Sequence, residues 1–422
     1  MWGEGLFGRT ARRIAGRAVT GGLQRLAERV RADGGAPLEL VLPTGERIEF
    51  GQSPRLRLTV RDADLVPALA NPTIGQLAEW FVEGHLDVDG DVMDAVACAE
   101  KLAAAGGSSA AARVAASFAR HTPKEDREAI SHHYDVSNAF YRLWLDSRMV
   151  YSCAYFRDPA DTLEMAQEAK LDHICRKLRL NPGERFLDIG CGWGGLVIHA
   201  AERYGVSAVG ITLSKNQFEL AQERVQERGL AERVQILLLD YRELVGRFGA
   251  GAFDKVASIG MFEHVGLKNL GEYFGTVAQC LRDRGLFLNH GITSTDVDNR
   301  PVGSGSSEFI DKYVFPHGEL PHVHLALREM SAAGFEVADV ESLRRHYALT
   351  LAHWSRRLEE RREEAAKLVP EKTLRVWRVY LPGCSYGFEQ GWMNIYQLLG
   401  SRQLGPGITA LPLTRDWMYE RG

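Results

Sequence analysis

Lys255 to Gly266 reads KVASIGMFEHVG, an apolar, strand-like run that ends by presenting a carboxylate and an imidazole, Glu263 and His264. Upstream, FLDIGCGWGG (186–195) passes from a strand through Asp188 into Gly190-Cys191-Gly192-Trp193-Gly194. Glycines at such a bend let backbone approach a ligand closely and turn sharply into a helix. The spacing is G-x-G-x-G, not the G-x-G-x-x-G of dinucleotide sites, and an acid precedes the first glycine. A carboxylate there would repel a pyrophosphate but would meet an ammonium or a polar nucleoside group. The next apolar run ends GITLSKNQ, where Thr212, Leu213 and Ser214 lead to Gln217. An amide can both donate to and accept from ribose hydroxyls. The third run ends LLLDYRE, placing Asp240, Tyr241 and Arg242 where an adenine edge would lie. In series at successive strand ends, these residues predict a nucleoside-bearing ligand with an acid and an imidazole nearby.

Positioning such groups requires a sheet whose carboxyl ends line up. RFLDI, SAVGITL, VQILLLD, FDKVASIGM and LFLNHGIT are near-continuous apolar runs separated by amphipathic segments such as KNQFELAQERVQERGL. Strands of that kind alternating with helices predict an α/β fold with a parallel sheet covered on both faces. Ahead of them, LELVLPTGERIEF and RLRLTV predict a small sheet with a turn at Thr44-Gly45. A helical stretch is expected over 74–102, and AAAGGSSAAA (103–112) reads as a linker. The chain of 422 residues therefore divides into an N-terminal domain, 1–125, and a larger domain, 126–422. A formal charge of −4 argues against nucleic acid as the main partner. No apolar run is long enough to span a bilayer. Cys98, Cys153, Cys175, Cys191, Cys280 and Cys384 are scattered, so neither a disulfide frame nor a metal site is expected, which fits a cytoplasmic location. Residues 1–34 hold seven arginines against three acids, with Val19, Leu23, Leu26 and Val30 on one helical face. That face serves either a membrane surface or the helix's own domain.

The glycine loop looks like the S-adenosylmethionine loop of Rossmann-like methyltransferases, and further motifs narrow the likeness. HHYDVSNAFYRLWLDSRMVYSCAYF (132–156), LDIGCGWGG, GITLSKNQ, MFEHVG, FIDKYVFPHGELP (309–321) and LPLTRDWMY (411–419) together resemble the cyclopropane-fatty-acyl-phospholipid synthases. The resemblance implies a Rossmann-like S-adenosylmethionine methyltransferase sheet with a smaller N-terminal α+β domain associated with lipid or membrane. It implies methylene transfer from S-adenosylmethionine to the cis double bond of unsaturated phospholipid acyl chains. It also implies a bound bicarbonate as base, caged by Cys153, Glu263, His290, the backbone of Ile292, and Tyr347. Tyr151 and Ser152 join the cofactor contacts on the same ground. Cys384, in YLPGCSYGF, is kept as a candidate catalytic thiol, although the implied chemistry needs no covalent nucleophile. The expected partner is a bilayer with unsaturated acyl chains, reached from the inner face of the membrane, with a second copy of the chain as a further expected partner. Related motifs occur in enzymes that give methylene or methyl-branched products and in small-amine N-methyltransferases, and a non-catalytic lipid-binding role is the remaining alternative.

Overall fold

The computed structural model describes residues 21–107, 136–298, 306–314, 319–403, 405 and 411–419; Val19 and the expected domain boundary at 125/126 lie outside them. The chain forms two compact units. One comprises Met1–Ala115, Val302–Val314 and Pro370–Tyr386, the other Ala116–Pro301, Phe315–Val369 and Gly387–Gly422. The first unit thus recruits two segments from late in the chain.

In the first unit, β1 (Leu38–Val41), β2 (Arg47–Glu49), β3 (Leu56–Val60) and β4 (Leu86–Asp89) form a sheet of order β2-β1-β3-β4. Gly45, at φ 83°, makes the turn between β1 and β2. Alternation decides the faces: Leu56, Leu58 and Val60 are buried, while Arg57 between them reaches Glu39 (Nε to Oε2, 2.7 Å). The basic N-terminal segment continues as a helix over 21–32, and Leu23, Leu26, Ala27 and Val30 sit in the same core as Leu38 and Leu58. Its apolar face therefore serves its own domain, and the exposed positions are Gln24, Arg25, Glu28, Arg29, Arg31 and Ala32, three arginines against one acid. The helix expected over 74–102 is two, Ile74–Val82 and Val92–Gly106, separated by β4. Gly84 (φ 81°) and Gly90 (φ 122°) break it, and the alternating Leu-Asp-Val-Asp between them pairs with β3. The late segments dock by charge: Tyr313 Oη donates to Glu83 (2.7 Å) and Arg375 Nη2 to Asp87 (2.7 Å).

The second unit is built on a seven-stranded sheet. Its strands are β5 (Arg185–Ile189), β6 (Ser207–Thr212), β7 (Val234–Leu238), β8 (Phe253–Ile259), β9 (Leu281–Ser294), β10 (Phe335–Ser342) and β11 (Met393–Arg402), in the order β10-β11-β9-β8-β5-β6-β7. Every neighbouring pair is parallel except those made by β11, which runs against both β9 and β10. Successive residues supply opposite faces. Phe186, Ala208, Ile236 and Leu288 enter one core, and Leu187, Val209, Val256 and Phe287 the other. The chain runs outward from β5 to β7 and then returns to the far side of β5 as β8. That reversal opens a crevice at the carboxyl ends of β5 and β8, where the glycine loop and Glu263 both emerge.

Candidate active site

Asp188 and Ile189 end β5, and the loop that follows is pinned to the next strand because Gly190 and Cys191 both donate to the Ile211 carbonyl at 2.9 Å. Gly190 sits at φ 81°, and a Cβ there would lie 3.0 Å from Met261 Cβ, so the loop passes too close to the β8 exit for a side chain. Trp193 anchors the far end by donating to Asn138 Oδ1 at 2.8 Å. One cavity runs along these strand ends. Of the residues expected to hold cofactor, its walls include Tyr151, Ser152, Asp188, Gly190, Cys191, Gly192, Trp193, Thr212, Leu213, Gln217, Asp240, Tyr241 and Arg242. Two expected contacts stand behind the wall instead. Gly194 caps the helix Gly195–Tyr204, and Ser214 Oγ caps Lys215–Glu227 by accepting from Gln217 N at 3.3 Å.

Hydrogen bonds orient the polar lining. Thr212 Oγ1 donates to Gln217 Oε1 at 2.8 Å, which fixes the amide in the cavity lining through its oxygen. Asp240 accepts from Arg242 through Nε (2.9 Å) and Nη2 (2.8 Å), a fork that holds both at the end of β7. Asp188 is buried, one of its oxygens has no hydrogen-bond partner, and desolvation pushes its carboxyl up to about 7. Lys170, on the helix Leu163–Lys177, also lines the cavity and donates to Ser152 Oγ at 2.8 Å. Burial pushes its ammonium down to about 8. Sequence reasoning missed Lys170. The signal was a lysine in step with Ala166, Gln167, Leu171 and Ile174, all buried on the same helix.

Beyond the cavity wall lies a second polar cluster. Glu263 stands on a short turn, Phe262–His264, just after β8, and of that pair it is His264 that lines the cofactor cavity. Glu263 Oε1 accepts from Ile292 N at 2.6 Å, whereas Oε2 is buried without a partner. Burial pushes this carboxyl up to about 7. Phe262 can pack on β9 because position 291 is glycine; a Cβ there would lie 2.8 Å from the Phe262 ring. His290 and Ile292 share one face of β9, and His290 pairs across the sheet with Gln397. Gln397 Nε2 approaches His290 Nδ1 at 3.5 Å. Burial, with the charges of Lys170 and Lys177, holds the imidazole well below its ordinary pKa, so it is neutral. If Gln397 donates to Nδ1, the ring proton sits on Nε2, which is buried and has no partner.

Cys153 joins this cluster through the backbone. Its thiol donates to the carbonyls of Ala154 (3.3 Å) and Leu343 (3.8 Å), and Leu343 N donates to Ile395 O, opposite Ile292. Tyr347 follows one turn after Leu343, buried with its ring 4.8 Å from Phe388 and 6.1 Å from Trp354. Desolvation pushes the Cys153 thiol far above its usual range, so it is not a thiolate nucleophile. Cys384 falls outside this unit. It lies on the helix Glu371–Glu389, within the stretch assigned to the first unit, with its thiol pushed up to about 12 by burial. The structure thus places Cys153, Glu263, His290, Ile292 and Tyr347 in one unit and Cys384 in the stretch assigned to the other. Among the described residues no cluster has the makings of a metal site.

Residues 121–398 match the family model described as mycolic acid cyclopropane synthetase. The chain belongs to this family. A Pseudomonas putida protein named a probable fatty acid methyltransferase is 50% identical over 91% of this chain and 96% of its own length. The cyclopropane-fatty-acyl-phospholipid synthase of Escherichia coli K12 is 42% identical over 65% of this chain and 68% of its own. Among solved structures, the mycolic acid cyclopropane synthase CmaA1 complexed with SAH and CTAB is 35% identical. It superposes with a TM-score of 0.61 over 65% of this chain and 98% of that one. The seven-stranded sheet is that of the S-adenosylmethionine methyltransferases, as the family's motifs implied. The orphaned Glu263 and His290 atoms also suit a small oxyanion. A neutral imidazole can donate, and a carboxyl poised near neutrality can accept from the hydroxyl of bicarbonate.

Proposed function

We propose that the chain transfers the methyl carbon of S-adenosylmethionine to the cis double bond of an unsaturated phospholipid acyl chain and closes a cyclopropane ring. The observation that carries this reading is the pair of buried, unpartnered atoms, Glu263 Oε2 and His290 Nε2, in the same unit as the cavity at the strand ends lined by Asp188, Gln217 and Asp240. Methylation of an amine or a hydroxyl needs no second caged anion site. Alkylating a carbon–carbon double bond generates a carbocation, and a proton must then leave the new methyl group. Bicarbonate held by Glu263 and His290, with the Ile292 N–H fixing the Glu263 carboxylate, would supply the base for that proton. The protein's own groups exclude competitors. Trp144 and Trp354 back Tyr151 of the cavity wall with apolar rings, at 5.5 and 5.2 Å between centroids, and Cys153 stays a thiol that does not trap an electrophile. Turnover in carbonate-free buffer should fall at least tenfold and recover when bicarbonate is added. Undiminished turnover there would make a protein side chain the base.

The name carried by the Pseudomonas putida relative favours a second reading, in which the reaction ends at a methyl-branched or methylene fatty acyl product. The cavity and cage serve both, because both pass through the same cation. They differ in what the cation does before the methyl proton leaves: direct ring closure gives the cyclopropane, and a 1,2-hydride shift gives the methylene, while a saturated methyl branch needs a hydride donor in addition.

An acyl substrate also requires approach to a bilayer. Among the described residues no helix is long and apolar enough to cross one. Approach rests instead on basic charge, for which the exposed Arg25 and Arg29 are available. At roughly 1 kcal/mol per basic residue near an anionic surface, Arg25→Gln with Arg29→Gln should weaken binding to anionic vesicles about thirtyfold. High salt should shrink the difference. Equal, salt-insensitive co-sedimentation of both proteins would exclude this face as the contact. Deleting the helix would be a poor test, since Leu23, Leu26 and Val30 belong to the core of its unit.

A further inference from the structure

Lys170 is 1% exposed, yet it lines the cofactor cavity together with Asp188. A buried ammonium is costly unless something answers its charge. Among the described residues its one hydrogen bond to a side chain is the 2.8 Å contact with Ser152 Oγ, which satisfies one of three N–H donors. Asp146, whose charge also reaches it, is occupied otherwise, accepting from the backbone N–H groups of Arg148 (3.0 Å) and Val150 (2.8 Å). Asp188 feels the lysine's charge but forms no close ion pair with it, and Asp188 Oδ1 is buried and unpartnered. A buried ammonium and a buried carboxyl therefore border one cavity without a close ion pair between them.

We propose that Lys170 Nζ binds the α-carboxylate at the zwitterionic end of the cofactor, whose α-ammonium falls to Asp188 as the sequence leads one to expect. The proposal rests on the S-adenosylmethionine reading above and adds the group that recognises the carboxylate. A zwitterion brings one charge of each sign, so it answers both buried side chains at once and leaves the net charge of the pocket unchanged. Ser152, fixed by the lysine, is placed beside the same end of the ligand. A ligand lacking the carboxylate would leave the Lys170 ammonium buried and unanswered, so discrimination against it should be strong.

Calorimetry with three thioethers tests this. The ligands are S-adenosylhomocysteine, its decarboxylated analogue S-adenosyl-3-thiopropylamine, and 5′-methylthioadenosine, which lacks both charged groups. The unaltered protein should bind S-adenosylhomocysteine at least tenfold more tightly than the decarboxylated amine. Lys170→Met should weaken S-adenosylhomocysteine at least tenfold and change the amine less than twofold. Asp188→Asn should weaken both amine-bearing ligands and leave methylthioadenosine within twofold. Ser152→Ala should keep the preference for the carboxylate. Equal affinity of the unaltered protein for S-adenosylhomocysteine and the amine would overturn the proposal without any variant. So would a Lys170→Met protein that loses all three ligands equally, because the lysine would then only support the loop. Absence of any S-adenosylhomocysteine binding would instead remove the parent reading.

Discussion

Glu263→Gln should lower turnover by two to three orders of magnitude, the usual scale for removing one preorganised electrostatic contact, and leave S-adenosylhomocysteine affinity within twofold. The amide can still accept from Ile292 N through its oxygen, so the turn at Phe262–His264 keeps its anchor. What disappears is an acceptor at Oε2, the atom that has no partner inside the protein. Because Glu263 lies outside the cavity wall, cofactor binding has no reason to follow turnover down. The same substitution should stabilise the fold at neutral and alkaline pH. The Glu263 carboxyl sits at about 7 in the folded protein, against 4.5 when unperturbed. Between those values the folded state holds a proton that the unfolded chain has released, so this group's contribution to stability falls as pH rises from 4.5 to 7. Complete ionisation costs about 3 kcal/mol. Removing the titration should therefore raise the Tm of the variant at pH 8 and leave it unchanged at pH 4. A matching loss of cofactor affinity, or a lower Tm at pH 8, would show that Glu263 is a structural or cofactor-binding residue.

Gly190→Val should abolish measurable activity through the cofactor rather than the cage. Its backbone lies at φ 81°, where a β-branched residue costs on the order of 1–3 kcal/mol. The new Cβ would meet Met261 Cβ at 3.0 Å, and both residues belong to the cavity wall. Relief requires the loop to leave the Ile211 carbonyl, which takes Cys191 and Asp188 with it. Affinity for S-adenosylhomocysteine should fall at least a hundredfold while far-UV circular dichroism remains that of the parent. Tight binding by a folded Gly190→Val protein would show that the loop does not need this close approach.

How legible each part was in the sequence depends on how local its cause is. The five parallel strands could be read because, covered on both faces, they are continuous apolar runs. β10 and β11 escaped because burial there extends to Asp339, Gln397 and Ser401, so neither segment shows a clean pattern. The break between the helices Ile74–Val82 and Val92–Gly106 lay in plain view as GHLDVDGD, but the apolar spacing on either side concealed it. Asp188 and Gln217 could be assigned from their places at strand ends. The cage could not: Cys153, Glu263, His290, Ile292 and Tyr347 come from four separated stretches, and only the family likeness named them together. Lys170 was hidden by the habit of reading a lysine on a helix as solvated. Gln397, which orients His290, is visible only once β11 is paired with β9.

The most direct test of the central claim is the product itself. Purified protein incubated with S-adenosylmethionine and vesicles of a cis-monounsaturated phospholipid should add 14 mass units to the acyl chain. The double bond should disappear, with cyclopropyl methylene protons in the NMR spectrum of the extracted fatty acid. A gain of 14 mass units with an exo-methylene group, a gain of 14 with a methyl branch beside a retained double bond, or no mass change in the acyl chain would contradict it.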